Sequence, residues 1–395
     1  MQRFLKIPLW FFCIAACIGL LLRWHFVSPL PWLVFPYWLH AHSHLMFLGW
    51  VFNALYLVYV LKFIPTENHK RYKILFIILQ VLLVGMLISF PVQGYGAVSI
   101  ILSTLHTVVA GIFCWWFIRD SRHNNTKMIS LQYARYSLIF FLISAAGPFS
   151  LGPLMANGMV QSQWYYFAVY FYLHFQYNGV FVFGVLSLFY TLLEDNNVLM
   201  NQIMSAQSAR ILFIGTVLSY VLSVLWAKPH FMFNIIGMAG AAFQILAMTL
   251  FIRSTPKPWS SFKAILAPQA RTLFQLAAMA FLLKTILQFI SAHPDMARLA
   301  YEVRPVVIAY IHLVVIGVVT FFLIGWYIQK GAMAVNPLMI KAFVGGFIGS
   351  ELVMISGVTG FVISGEWSVF LVFIFSTLMV LSAGSFLMSA GHRKN

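Results

Sequence analysis

The sequence predicts an all-α fold, a polytopic membrane bundle of about twelve transmembrane helices. Three observations carry this. Hydrophobic residues make up 62% of the 395 and charged residues only 8%, with a mean hydropathy of +0.90. A water-soluble chain of that size carries far more charge. Apolar stretches long enough to cross a bilayer recur from end to end, and the lysines and arginines gather in alternate loops.

Taken in order, the apolar windows fall at 8–27, 38–62, 73–92, 97–118, 133–153, 164–192, 209–227, 231–252, 271–291, 303–328, 338–361 and 366–390. The first follows Arg3 and Lys6, and Ile14-Ala15-Ala16-Cys17 resembles a lipoprotein cleavage box. Its apolar run continues through Leu22, so it reads as an uncleaved span. With the N-terminus inside, Lys62, Lys70, Arg71 and Lys73 fall in an inner loop. So do Arg119, Arg122, Lys127 and Arg135, then Arg253, Lys257, Lys263 and Arg271, and finally Lys330, Lys341, Arg393 and Lys394. The opposite loops hold mainly Lys228, Arg298 and Arg304. Both termini are therefore expected in the cytoplasm.

The net charge of +16 is thus read as topology rather than nucleic-acid binding. Cys13, Cys17 and Cys114 show no paired metal spacing and predict no disulfide framework. The linkers are short, and no internal repeat or soluble domain is evident. Residues 1–395 are expected to form a single transmembrane domain in a bacterial inner (plasma) membrane.

The histidines are the chemical signal. His40, His42 and His44 stand together at the outer end of the second span, where an imidazole in lipid is costly, and three together suggest a bound metal or metal cofactor rather than packing. His106, His174 and His312, in spans four, six and ten, each lie about 14 Å in from the same side. His25, His230 and His293 sit at outer helix ends and read as interfacial, whereas His69, His123 and His392 fall in inner loops.

Helical angle separates the cluster: His40 and His44 share a face, and His42 points roughly 200° away. Met46, Gly49 and Asn53 continue the His42 face, and Gly49 leaves room for a flat ligand. His40 and His44 face the interface, the headgroups or a neighbouring helix. His106 is either a ligand or a polar group bonding across helices. His174, with Tyr177 and Asn178 on its face, is either a ligand or part of a hydrogen-bonded cluster.

The span count, His42 at the outer end of span two and His312 on span ten resemble the haem–copper oxidase subunit I superfamily, which includes nitric-oxide reductases. His42 through Met46 looks like its helix-two His-x-x-x-Met signature, and Asn53-Ala54-Leu55 resembles the branch fed by cytochrome c. The resemblance implies a low-spin, b-type haem held between His42 and His312. Where the family has His-x-His on helix ten, this chain reads Tyr310-Ile311-His312, so tyrosine replaces the high-spin haem ligand. His174 matches the family's helix-six copper ligand, but span seven lacks the His-His pair; Trp226 to Phe233 echoes it faintly, with His230 alone. The arginine pair between helices eleven and twelve is missing too, and Glu366 stands there. Arg298 and Arg304 either substitute as carboxylate partners for the haem or pair with Asp295 and Glu302. His40-Ala41-His42 and His312-Leu313 to Gly317 also resemble NnrS-type haem- and copper-containing membrane proteins linked to nitric-oxide stress.

Two axial imidazoles suit electron transfer and leave no axial place for oxygen. Turnover of oxygen or nitric oxide would need a second haem or copper near His106, His174, Tyr177 and Tyr310. Without the His-His pair, a standard oxygen-reducing site is not expected. Glu351 and Lys284 are charges at membrane depth and mark a proton path, although Lys284 lies near enough the outer end to snorkel. The expected function is a haem-binding membrane redox protein, respiratory or related to nitric oxide. Its expected partners are the lipid bilayer, an electron-donor protein or quinol, and other membrane subunits. The alternative is a transporter or sensor for a transition metal or haem, and the third reading is a membrane scaffold.

Overall fold

The computed structural model describes residues 1–122, 128–160, 162–255, 263–359 and 365–391. Among them 86% of the chain is helical and no strand occurs, so the fold is all-α. Among the described residues twelve helices are long and apolar enough to span a membrane. They are α1 (Ile7–Val27), α2 (Phe35–Phe63), α3 (Thr66–Gln93), α4 (Ala97–Asp120), α5 (Ile129–Ala156) and α6 (Gln163–Asp195). The rest are α7 (Gln202–Ala227), α8 (Met232–Ser254), α9 (Pro268–Ile290), α10 (Arg304–Gln329), α11 (Pro337–Thr359) and α12 (Gly365–Ser389). His123, Lys127, Lys257, His392, Arg393 and Lys394 lie outside the described residues.

The chain forms two compact units, Met1–Ser121 with Leu323–Asn395, and Arg122–Phe322. In the first, α1 packs against α2 and α12, α11 against α12, and α3 against α4. A ladder of rings ties α2 to α4: Phe52 meets Phe113, Tyr56 stacks on Phe113 at 3.8 Å, and Tyr59 meets Phe117. Such pairs add about 0.5–1.5 kcal/mol each beyond their buried area. Between α2 and α3 the amides of Asn53 and Gln80 bond reciprocally at 2.9 and 3.2 Å, which satisfies two polar groups inside lipid. At the other end of α3, Arg71 and Tyr72 both bond Asp120, which Arg119 also reaches at 3.3 Å.

In the second unit α7 and α8 pack most closely. A Cβ at Gly240 would come within 2.5 Å of the Ser219 backbone nitrogen, so only glycine lets these backbones meet. α5 docks on α6 through Ser137, whose hydroxyl donates to the Val180 carbonyl at 2.7 Å.

Three spans are built differently from the others. Within α2, α6 and α10 the helix widens to π geometry at Leu45–Phe52, Phe175–Phe181 and Leu313–Thr320. Each widened stretch starts directly after a histidine, His44, His174 or His312, and each has glycine five residues beyond, Gly49, Gly179 or Gly317. This His-x-x-x-x-Gly element recurs every fourth span. The same three spans are the most buried, at 89%, 94% and 67% of their apolar windows. π turns recur at functional sites because they re-aim side chains and loosen the backbone ladder.

Candidate functional site

In the first unit, His42 faces α1. Its Nδ1 donates to the Ala15 carbonyl at 2.8 Å, which places the proton on Nδ1 and the lone pair on Nε2. That bond fixes tautomer and ring angle as a carbonyl partner does for metal-bound imidazoles. The ring lies so close to α1 that a Cβ at Gly19 would come 2.9 Å from His42 Cε1. Gly49, expected to make room for a flat ligand, instead accommodates Phe11, whose Cβ and Cγ stand 2.8 Å from where its own Cβ would be. The glycine serves helix packing, because α1 crosses α2 at that level.

His40 and His44 occupy the other side of α2, as the helical angle requires. Both rings pack against Phe90 and Tyr95; His40 meets Tyr95 edge-on at 4.3 Å and His44 lies 4.6 Å from Phe90. His44 Nδ1 donates to the His40 carbonyl one turn back at 2.8 Å. A neighbouring helix, rather than headgroups, receives them. His106 on α4 is fully buried beside Phe52, and neither ring nitrogen has a hydrogen-bond partner among the described residues. The expected alternative of a bond across helices is therefore not what the structure contains.

Glu351 on α11 has an intramembrane cation for company. Arg23 on α1 interacts with it electrostatically and donates to Met354 Sδ at 3.3 Å. Arg23 lies about 24 Å and Glu351 about 21 Å from the starts of their helices. Ala15, Gly19 and Arg23, spaced by four, form one stripe on α1. The sequence reading missed this stripe, although an arginine within an apolar span was signal enough.

In the second unit, His174 is bonded through both nitrogens. Nε2 donates to the Thr216 carbonyl at 2.8 Å, and Nδ1 accepts from Asn178 Nδ2 at 3.1 Å, with Ser223 Oγ at 3.4 Å. A metal at Nδ1 would have to displace Asn178. The Thr216 carbonyl also accepts from Ser219 Oγ, which receives a bond from Gln244 Nε2 at 2.7 Å. Lys284 Nζ donates to Gln244 Oε1 at 3.0 Å. Lys284 is 1% exposed, so it is a buried member of a polar chain linking α6 to α9 and does not snorkel. Tyr310 packs edge-on to Tyr177 at 6.1 Å. His312 ends the regular first part of α10 and is half-buried.

The outer charges divide. Arg298 pairs with Asp295 at 3.4 Å, an exposed ion pair of little energetic weight. Arg304 opens α10, exposed, in electrostatic contact with Tyr170. His25, His230 and His293 accept backbone bonds from Leu30, Met232 and Asp295, which accounts for them as local caps.

Among the described residues no three His, Cys, Asp or Glu side chains converge on a point where they would cage an ion. Compared with known proteins, the chain matches no family model and no curated protein. The chain is an integral membrane helical protein by its twelve apolar spans.

Proposed function

We propose that the chain is a haem-binding membrane redox protein, a divergent relative of haem–copper oxidase subunit I, with His42 as one axial ligand. The observation that carries this is the bond from His42 Nδ1 to the Ala15 carbonyl, which fixes the tautomer with the proton on Nδ1 and the basic lone pair on Nε2. By the resemblance, His312 would be the second residue to hold the haem. Haem between two imidazoles supplies reversible one-electron transfer. The chain's own part is to hold the ring of His42 in one tautomer, with Gly19 admitting it against α1. Arg304, at the lip of α10, suits a haem carboxylate. An electron-donor protein or quinol would complete the redox role, in respiration or nitric-oxide metabolism.

The test is a reduced-minus-oxidised visible spectrum of the protein purified in mild detergent, with iron analysis. Sharp low-spin bands at about one haem per chain are expected. His42→Ala and His312→Ala should each abolish them, while His40→Ala leaves them. An unchanged spectrum in either of the first two sinks the ligand assignment. A colourless protein, after expression with ample haem, moves the reading to transport or sensing of a transition metal or haem.

A further inference from the structure

We propose that the ends of α3 and α4 that meet at Asp120, in the first unit, form a binding site for an anionic phospholipid. Both oxygens of the Asp120 carboxylate are engaged: Arg71 Nη2 and Tyr72 Oη donate to Oδ2, and Arg119 Nε donates to Oδ1 at 3.3 Å. Two guanidinium groups therefore converge on one carboxylate, and two positive charges less one negative leave the cluster at +1. Lys70 and Lys73, exposed in the first turns of α3, and Arg122, exposed just past α4, add further positive charge against Glu67. Arg71 Nε is a donor with no acceptor among the described residues. The cluster thus holds more cation, and more hydrogen-bond donors, than its own carboxylate satisfies.

Aromatic rings set both guanidinium groups at headgroup level. Arg119 lies over Trp115 at 5.0 Å and Arg71 over Trp116 at 5.2 Å, and tryptophan favours the boundary between membrane and water. Deeper along both helices the surface is apolar. Leu105, Val108 and Ile112 lead away from Trp115 at helical spacing on α4, and Ile77, Val81 and Val84 lead away from Arg71 on α3, all exposed. Acyl chains of any phospholipid can cover such stripes, so the headgroup decides which lipid is kept. A phosphodiester accepts paired hydrogen bonds from arginine and cancels the surplus charge. A zwitterionic headgroup brings a cation of its own into a cluster that already has too many, and a free phosphate gains nothing from the stripes. The site makes no use of haem.

The experiment is native mass spectrometry of the full-length protein, delipidated in detergent and titrated with dioleoyl phosphatidylglycerol or dioleoyl phosphatidylcholine. Phosphatidylglycerol is expected to bind about fivefold more tightly, the factor that one cation near a membrane surface contributes. Arg119→Gln should remove most of that preference, and Trp115→Leu should weaken it about twofold through loss of the ring beneath the guanidinium. Arg119→Lys, which keeps the charge, should retain most of it. Lys341→Gln, the same change of charge at the start of α11, should leave it intact. The Arg119 side chain is 50% exposed and Trp115 is 58% exposed, so these variants leave the core packed. Equal binding of the two lipids, or equal loss in Arg119→Gln and Lys341→Gln, would overturn the site. Displacement of phosphatidylglycerol by an equal concentration of glycerol phosphate would overturn it too, because the cluster would then hold an anion without a lipid.

Discussion

A single missing methyl decides how near His42 stands to α1. At Gly19 a Cβ would sit 2.9 Å from the imidazole, closer than carbon atoms tolerate. Gly19→Ala should shift the ring by a few tenths of an ångström and lower haem retention, and Gly19→Val should eliminate it while the protein still inserts. Haem-to-protein ratio by pyridine haemochrome checks both. Lys284 obeys a different logic. Among the described residues its amine has one acceptor, Gln244, and removing one partner of a buried charged bond costs far more than removing both. Gln244→Leu should destabilise by about 3 kcal/mol, and adding Lys284→Met should restore most of that loss. Thermal unfolding in detergent, read as a double-mutant cycle, measures it. No recovery in the double variant would mean that Lys284 has another partner.

At the scale of the element, α2 has to satisfy three neighbours at once. α1 takes its His42 and Gly49 side, α3 meets Asn53, and α4 meets its aromatic ladder. A helix of 3.6 residues per turn distributes these faces only approximately, and the π stretch at Leu45–Phe52 adjusts the angle between the histidines above and Asn53 below. Asn53→Leu should leave the Gln80 amide without its partner, at a cost of about 1–2 kcal/mol in the membrane. Gln80→Leu added to it should recover part of that. The denaturation midpoints of the single and double variants decide whether the pair is a unit.

Across the whole molecule, the distribution of charge predicts sidedness. Twelve crossings return the chain to the side on which it begins, and the lysine- and arginine-rich loops are expected to face the cytoplasm. A single cysteine placed at Trp32, before α2, should react with an impermeant thiol reagent applied to intact cells. One placed at Glu67, at the start of α3, should react only after lysis. Cys17 is exposed to surrounding lipid, so the measurement belongs in a background with the native cysteines replaced. Reversed labelling would invert the assigned depth of each histidine.

Composition and charge by themselves determined the class of this protein and its twelve spans, because burial in lipid demands long apolar helices and penalises every polar group. The helical angle likewise separated His42 from His40 and His44 without coordinates. Only the tertiary structure decided what each polar group meets. It gave His42 to the Ala15 carbonyl, filled the space at Gly49 with Phe11, engaged both nitrogens of His174, and left His106 without a partner among the described residues. The repeated His-x-x-x-x-Gly was in the letters, but its meaning emerged with the π turns that follow each histidine. Periodicity reports which face a residue occupies; which neighbour fills that face depends on contacts between residues far apart in the chain, and no local pattern encodes them.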